Sequence, residues 1–177
     1  EKIDPRHFEC NDRLIRGLRL KGAMIMTSRG CRFSCSFCGC GLIFGKKIRY
    51  YSLDHIEKEV RDLKENFRIE GLWISDDTFT LNLEHVMKVG LIFKRNGILW
   101  GCQSRVDIIN ERLVSTMKDL GCVQLDMGVE SGSQRILDQV IGKGTRIEQI
   151  KFAFDLAKKY GLRTLANFMI GLPTETY

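Results

Sequence analysis

Proline is scarce in this chain, two residues in 177, and no low-complexity run interrupts it. A disordered or Pro-rich linker is thereby excluded as its main content. No apolar stretch approaches the roughly 20 residues that a membrane-spanning helix needs. The N-terminal "EKIDPRHFEC" lacks the apolar core of a signal peptide. It also lacks an initiating methionine, as expected of a piece of a longer protein. No nucleic-acid recognition module is present, and the basic residues are spread along the chain.

What is there is enough apolar residue for one sizeable core, at 44% of the chain. Net charge is +6. That suits anionic cofactors, an acidic electron donor or nucleic acid, and a solvated lysine-rich surface is favoured over nucleic-acid binding. The seven cysteines are unevenly placed. Four fall in "SRGCRFSCSFCGCG", at 31, 35, 38 and 40, and the others at 10, 102 and 122. A secreted disulfide scaffold would spread them, so clustering points to metal ligation in a reducing compartment, the cytoplasm. Cys102 and Cys122 stand in apolar runs and read as small core residues.

The chain alternates strand and helix. Apolar runs at Ala23–Ser28, Gly71–Ser75, Ile98–Ser104, Val123–Val129 and Arg163–Ile170 predict five strands. Ser52, Asn82 and Asn110 stand at the starts of helical periodicity as N-caps. A shorter helix is predicted near Ser133–Val140, and Thr145 with Glu148 reads as a capping box before the last one. Such alternation implies right-handed crossovers and a parallel α/β sheet. A doubly wound sheet and a (β/α) barrel both fit. In either, ligand chemistry belongs at the C-terminal strand ends.

Those ends carry Cys31, Cys35 and Cys38, then Asp76 and Asp77, Ser104 and Arg105, Glu130, and finally Asn167 and Gly171. The cysteine spacing is C-x3-C-x2-C with no second knuckle, which is poor for structural zinc. Three thiolates on a four-iron cluster leave one iron open, the mark of a reactive site. Cys40 as a fourth ligand would close it. His55 and His85 lie on predicted helices and read as surface residues, and Lys143 in "GKGT" as solvated.

Cys31-x3-Cys35-x-Phe37-Cys38 resembles the signature of radical S-adenosylmethionine (radical SAM) enzymes. "WISDDTFT", "GVESGSQRILD", "KGTRIEQI" and "NFMIGLPTET" resemble the core of their cobalamin-associated, methylthiotransferase-like branch. The resemblance runs from about Met24 to the C-terminus. It implies a partial (β/α)6 TIM-type barrel over 23–177, shortened here to five strands, with residues 1–22 as a leader. It implies a [4Fe-4S] cluster on Cys31, Cys35 and Cys38. S-adenosylmethionine would chelate the fourth iron and be cleaved to a 5′-deoxyadenosyl radical that removes a substrate hydrogen.

By the same resemblance, Phe37 meets the adenine, and Asp76 and Asp77 hold the methionyl amine. Ser104 and Arg105 lie near ribose and carboxylate, Glu130 at the ribose or amine, and Asn167 and Gly171 along the adenine edge. An electron donor such as flavodoxin or ferredoxin is implied as partner. Cobalamin would come only through a domain not present in this chain. Methyl transfer and methylthiolation are the reactions the branch suggests, on a substrate the residues do not name. Arg32 replaces a proline common in these relatives, and Thr174 a glycine. The competing reading is a zinc-stabilised or closed-cluster module for binding or electron transfer.

Overall fold

The computed structural model describes residues 18–176. Cys10 and most of the expected leader lie outside the described residues. The chain runs β1 (Gly22–Ile25), β2 (Ser28–Arg29), α1 (Cys40–Ile43), β3 (Arg49–Tyr50), α2 (Leu53–Phe67), β4 (Gly71–Ile74), α3 (Leu83–Arg95) and β5 (Leu99–Arg105). It continues through α4 (Glu111–Asp119), β6 (Cys122–Glu130), α5 (Gln134–Ile136), a π turn (Leu137–Ile141), α6 (Ile147–Lys159) and β7 (Arg163–Phe168).

The three expected caps form. Ser52 Oγ accepts from the His55 amide, Asn82 Oδ1 from that of His85, and Asn110 Oδ1 from that of Leu113. The helix α6 departs from expectation. It starts one residue later, with the Arg146 amide donating to Gln149 Oε1. Thr145 instead turns into the interior, where its hydroxyl finds no partner among the described residues.

The first strand is also shorter than predicted. Sheet pairing stops at Ile25, and Ser28–Arg29 pairs antiparallel with Arg49–Tyr50. The reason is a contact distant in sequence: the Thr27 amide donates to the Asp76 carboxylate at 2.6 Å and so leaves the ladder.

Strand order decides between the two α/β architectures. The sheet runs β1-β4-β5-β6-β7, parallel throughout. A doubly wound sheet reverses order at a switch point; this one never does. With right-handed crossovers every helix then lies on one face. The helices accordingly pack in chain order, α2 on α3, α3 on α4 and α4 on α6. The result is a partial TIM-type barrel.

The core lies between strands and helices. Leu72 and Ile74, Trp100 and Cys102, Leu125 and Met127 meet Val60, Val89, Phe93, Val114 and Ala157 in one apolar cluster. Trp100 is fully buried, donates its indole N–H to the Leu120 carbonyl at 2.8 Å, and meets Phe79 and Phe93 edge-on. Alternate strand positions, among them Met24, Trp73 and Gln103, belong to the opposite, inner face. Past β7, Thr174 adopts φ 63, the left-handed conformation that glycine enters most readily. Arg135 holds it through both the Thr174 hydroxyl and carbonyl.

Candidate cofactor site at the strand ends

Two clamps hold the cysteine loop. The first is at the end of β4. Asp76 accepts from the Thr27 amide, the Thr27 hydroxyl and the Ser28 hydroxyl, each at 2.6 Å. Asp77 accepts from the Gly30 amide at 2.8 Å. Gly30 has φ +100, and a Cβ there would stand 2.4 Å from the Lys47 carbonyl oxygen, so only glycine opens the loop this way.

His85 supports this clamp from α3. It is buried, not at the surface as its helix position suggested. Its Nε2 lies 2.9 Å from the Thr27 hydroxyl, whose proton goes to Asp76, so Nε2–H is the donor. Tyr50 and Phe79 cover the ring.

Burial lowers the proton affinity of His85 against the opposing pull of Asp76. Between that depressed value and the ordinary value near 6.5, the native state binds fewer protons here than the unfolded chain does. This contribution to stability is complete above pH ~6.5 and is lost as pH falls through the depressed value. Urea midpoints should therefore drop on acidification through that window. They should drop less in His85→Gln than in the parent; equal slopes would refute the assignment.

The second clamp reaches the segment between β6 and α6. The Ser36 amide donates to the Ile141 carbonyl, and its hydroxyl lies within reach of the Val140 and Ile141 carbonyls, at 2.8 and 2.9 Å. The π turn supplies these acceptors at its end, consistent with the habit of such turns to occur at functional sites. Arg105 completes the clamp. Its guanidinium forks onto Asp107, donates to Cys35 Sγ at 3.1 Å and to the Lys143 carbonyl at 2.6 Å, and stacks 3.7 Å from the Phe33 ring centre.

A cavity of about 200 Å³ opens between the clamps. Cys31, Cys35, Cys38, Phe37, Asp77, Ser104, Arg105, Glu130 and Asn167 line it. Of the residues expected there, Asp76 and Gly171 do not. The Asp76 carboxylate is fully engaged in the first clamp, and the Gly171 amide bonds outward to Glu175.

Thr78, Gln103, Gly128 and Lys143 also line the cavity and were not foreseen. Thr78 Oγ1 sits 3.3 Å from Cys31 Sγ. Lys143 is not solvated: its ammonium lies 2.7 Å from Glu130 Oε1 and 2.7 Å from the Gly128 carbonyl, with only 5% of the side chain exposed. A Cβ at Gly128 would stand 2.3 Å from Glu130 Oε1 and 2.5 Å from Lys143 Nζ, so this glycine makes room for the pair. Glu130 itself has φ 66, a costly conformation for a non-glycine residue and one that clusters at functional sites. The sequence signal was faint: a lysine between two glycines that both take positive φ.

A second cavity, about 250 Å³, is walled by loop residues including Phe33, Cys40, Leu42 and Lys46. It shares with the first only Cys31, Cys35 and Cys38. The three thiols thus form a partition. Among the described residues no three His, Cys, Asp or Glu gather tightly enough to hold one metal ion. A single zinc needs its donors about 2.0–2.3 Å from one point; a four-iron cluster takes thiolates on separate irons. The donor set therefore fits the cluster better than the ion. Cys40 stands apart: burial and the neighbouring Asp77 carboxylate, to which it is hydrogen-bonded, push its thiol up to about 12. Cys40 lines only the second cavity, away from the strand ends.

The family model described as the radical SAM superfamily matches residues 25–177. An uncharacterised methyltransferase of Pyrococcus horikoshii is 42% identical over 155 residues, covering 86% of this chain and 34% of the relative. A putative methylthiotransferase of Methanocaldococcus jannaschii is 33% identical over 172 residues, covering 90% and 37%. The chain thus spans about a third of the curated relatives' length. Among solved structures, the radical S-adenosylmethionine methyltransferase TsrM of Kitasatospora setae, with cobalamin and a [4Fe-4S] cluster bound, superposes with TM-score 0.74 at 20% identity, over 89% of this chain and 32% of that one. That likeness bears on fold alone.

Proposed function

The chain belongs to the radical SAM superfamily, and from that premise we propose that Cys31, Cys35 and Cys38 hold the family's [4Fe-4S] cluster beside an S-adenosylmethionine bound in the 200 Å³ cavity. One observation carries the reading: these three cysteines are the residues common to both cavities. When bound, the cluster supplies the electron that breaks a carbon–sulfur bond of the sulfonium.

The chain's own residues bind and orient. Asp77 and Glu130 offer carboxylates to an ammonium, and Lys143 a buried cation to a carboxylate. Arg105 has nearly all its donors engaged, so its part is to steady Cys35 and the Lys143 loop rather than to bind the carboxylate first. Ser104 and Asn167 offer neutral hydrogen bonds to the sugar and base, and Phe37 a backbone and ring at the cavity wall. Asp76, with Thr27 and His85, positions the loop without touching the ligand.

For the whole protein we propose methyl transfer or methylthiolation, as in the relatives, with cobalamin entering through a domain outside these residues if it is used. The electron would come from a flavodoxin or ferredoxin in a reducing, cytoplasmic setting. No helix among the described residues is long and apolar enough to cross a membrane. Residues 1–22 would serve as a leader into the core at 23–177.

Anaerobic reconstitution with iron and sulfide tests the reading. About four irons per chain are expected, with a brown colour that dithionite bleaches and an EPR signal that added S-adenosylmethionine alters. Stoichiometric zinc in a colourless protein would end it and favour the zinc-stabilised alternative.

A further inference from the structure

From Ser28 to Leu53 the chain carries five cations, Arg29, Arg32, Lys46, Lys47 and Arg49, and no aspartate or glutamate. This one segment accounts for five of the net +6; the other residues carry nearly equal numbers of each sign. All five side chains are on exposed residues. None forms an ion pair among the described residues. Their contacts are with neutral groups: Lys46 with the Ser34 hydroxyl, Arg49 with the Phe44 carbonyl, Arg29 over Phe44 and Tyr51, and Arg32 over Phe33.

Within this segment α1 leaves Leu42 93% and Ile43 73% exposed. Leu42 and Lys46 wall the 250 Å³ cavity, whose other walls include the three thiols. A body seated here meets the sulfurs without meeting the strand ends.

We propose that this face, an apolar knob ringed by exposed cations, docks an acidic protein that carries one electron at low potential on an exposed flavin or iron–sulfur centre. The proposal rests on the cluster reading of Cys31, Cys35 and Cys38. The carrier loses one electron and the cluster gains it; no bond forms or breaks and no proton need move. Charge complementarity selects the partner, because exposed cations around an apolar centre steer and hold an acidic surface. A second copy of this basic face would be repelled. A nucleic acid would use the same cations, but nothing in its chemistry calls for access to the thiols.

The test uses the reconstituted full chain and an acidic flavodoxin as probe. Calorimetry should show binding that weakens as salt rises, and stopped-flow mixing should show the reduced flavodoxin bleaching the cluster. The double charge reversal Lys47→Glu with Arg49→Glu should slow that bleaching by roughly 10–100-fold and weaken binding, while dithionite bleaches parent and variant alike. The reversal Lys151→Glu with Lys158→Glu, on α6, should change neither. Equal flavodoxin rates in parent and Lys47/Arg49 variant, or no salt dependence, overturn the proposal. So does a single-stranded RNA that binds this face, is lost in the variant, and leaves flavodoxin reduction untouched. A chain that takes up no iron, or that dithionite cannot bleach, overturns the cluster reading and this proposal with it. A bleachable cluster with indifferent flavodoxin rates removes the docking face alone.

Discussion

Replacing any one of Cys31, Cys35 or Cys38 by alanine is expected to remove the cluster and all cleavage of S-adenosylmethionine, while the chain stays folded. The three thiols are the residues common to the two cavities. Cys40 is the nearest further cysteine in sequence, but it lines only the second cavity and not the one at the strand ends. Cys40→Ala should accordingly keep its iron. The apolar core lies on the other face of the sheet, between strands and helices, so the far-ultraviolet circular dichroism should be unchanged. Iron and sulfide analysis with product chromatography for methionine and 5′-deoxyadenosine checks both halves. A Cys35→Ala protein with full iron and undiminished cleavage would sink the assignment, as would a Cys40→Ala protein without iron.

The second large effect belongs to Lys143. Removing one partner of a buried ion pair leaves the other charge unpaired, at a cost of about 3–5 kcal/mol. Lys143→Met should therefore lower the unfolding midpoint markedly, because Glu130 remains beneath it. Its affinity for S-adenosylmethionine should also fall, by roughly 10–100-fold, the value of one charge-assisted hydrogen bond of about 1.5–3 kcal/mol. Iron content should not change. The double variant Lys143→Met with Glu130→Gln separates the two effects. Taking out both charges should restore much of the stability, since buried pairs give little net gain over neutral groups, but the affinity should stay low. Equilibrium dialysis with S-adenosylmethionine on the iron-loaded proteins, beside urea unfolding, reads both. Parental affinity in the single variant would leave Lys143 a structural strut only.

The spacing of three thiols and the residues after each strand were legible because both are local. Cysteine ligands close together in sequence need no knowledge of the fold. Strand ends follow from where apolar runs stop, and ligand sites of parallel α/β folds gather there. The caps at Ser52, Asn82 and Asn110 are local too, since each side chain bonds an amide three residues on.

Other features were set by partners distant in the chain. Asp76 and Asp77 are adjacent and chemically alike, and the sequence offered no ground for choosing between them. The structure gives Asp76 to Thr27 and Ser28, about 49 residues back, and turns Asp77 to the cavity. The same clamp cut the first strand short and drew His85 inside. Lys143 looked like any lysine between glycines until β6 placed Gly128 and Glu130 beneath it.

The sequence by itself determined the chemistry on offer: three thiols at cluster spacing, and acids and bases at the ends of five strands. Only the tertiary structure decided that the strands run in unreversed order as a partial barrel, which acid faces the cavity, and that a buried lysine joins the site. The reason is physical. Ligand spacing and capping are fixed by bonds over a few residues, whereas desolvation and ion pairing depend on which distant segments the folded sheet brings within 3 Å of each other.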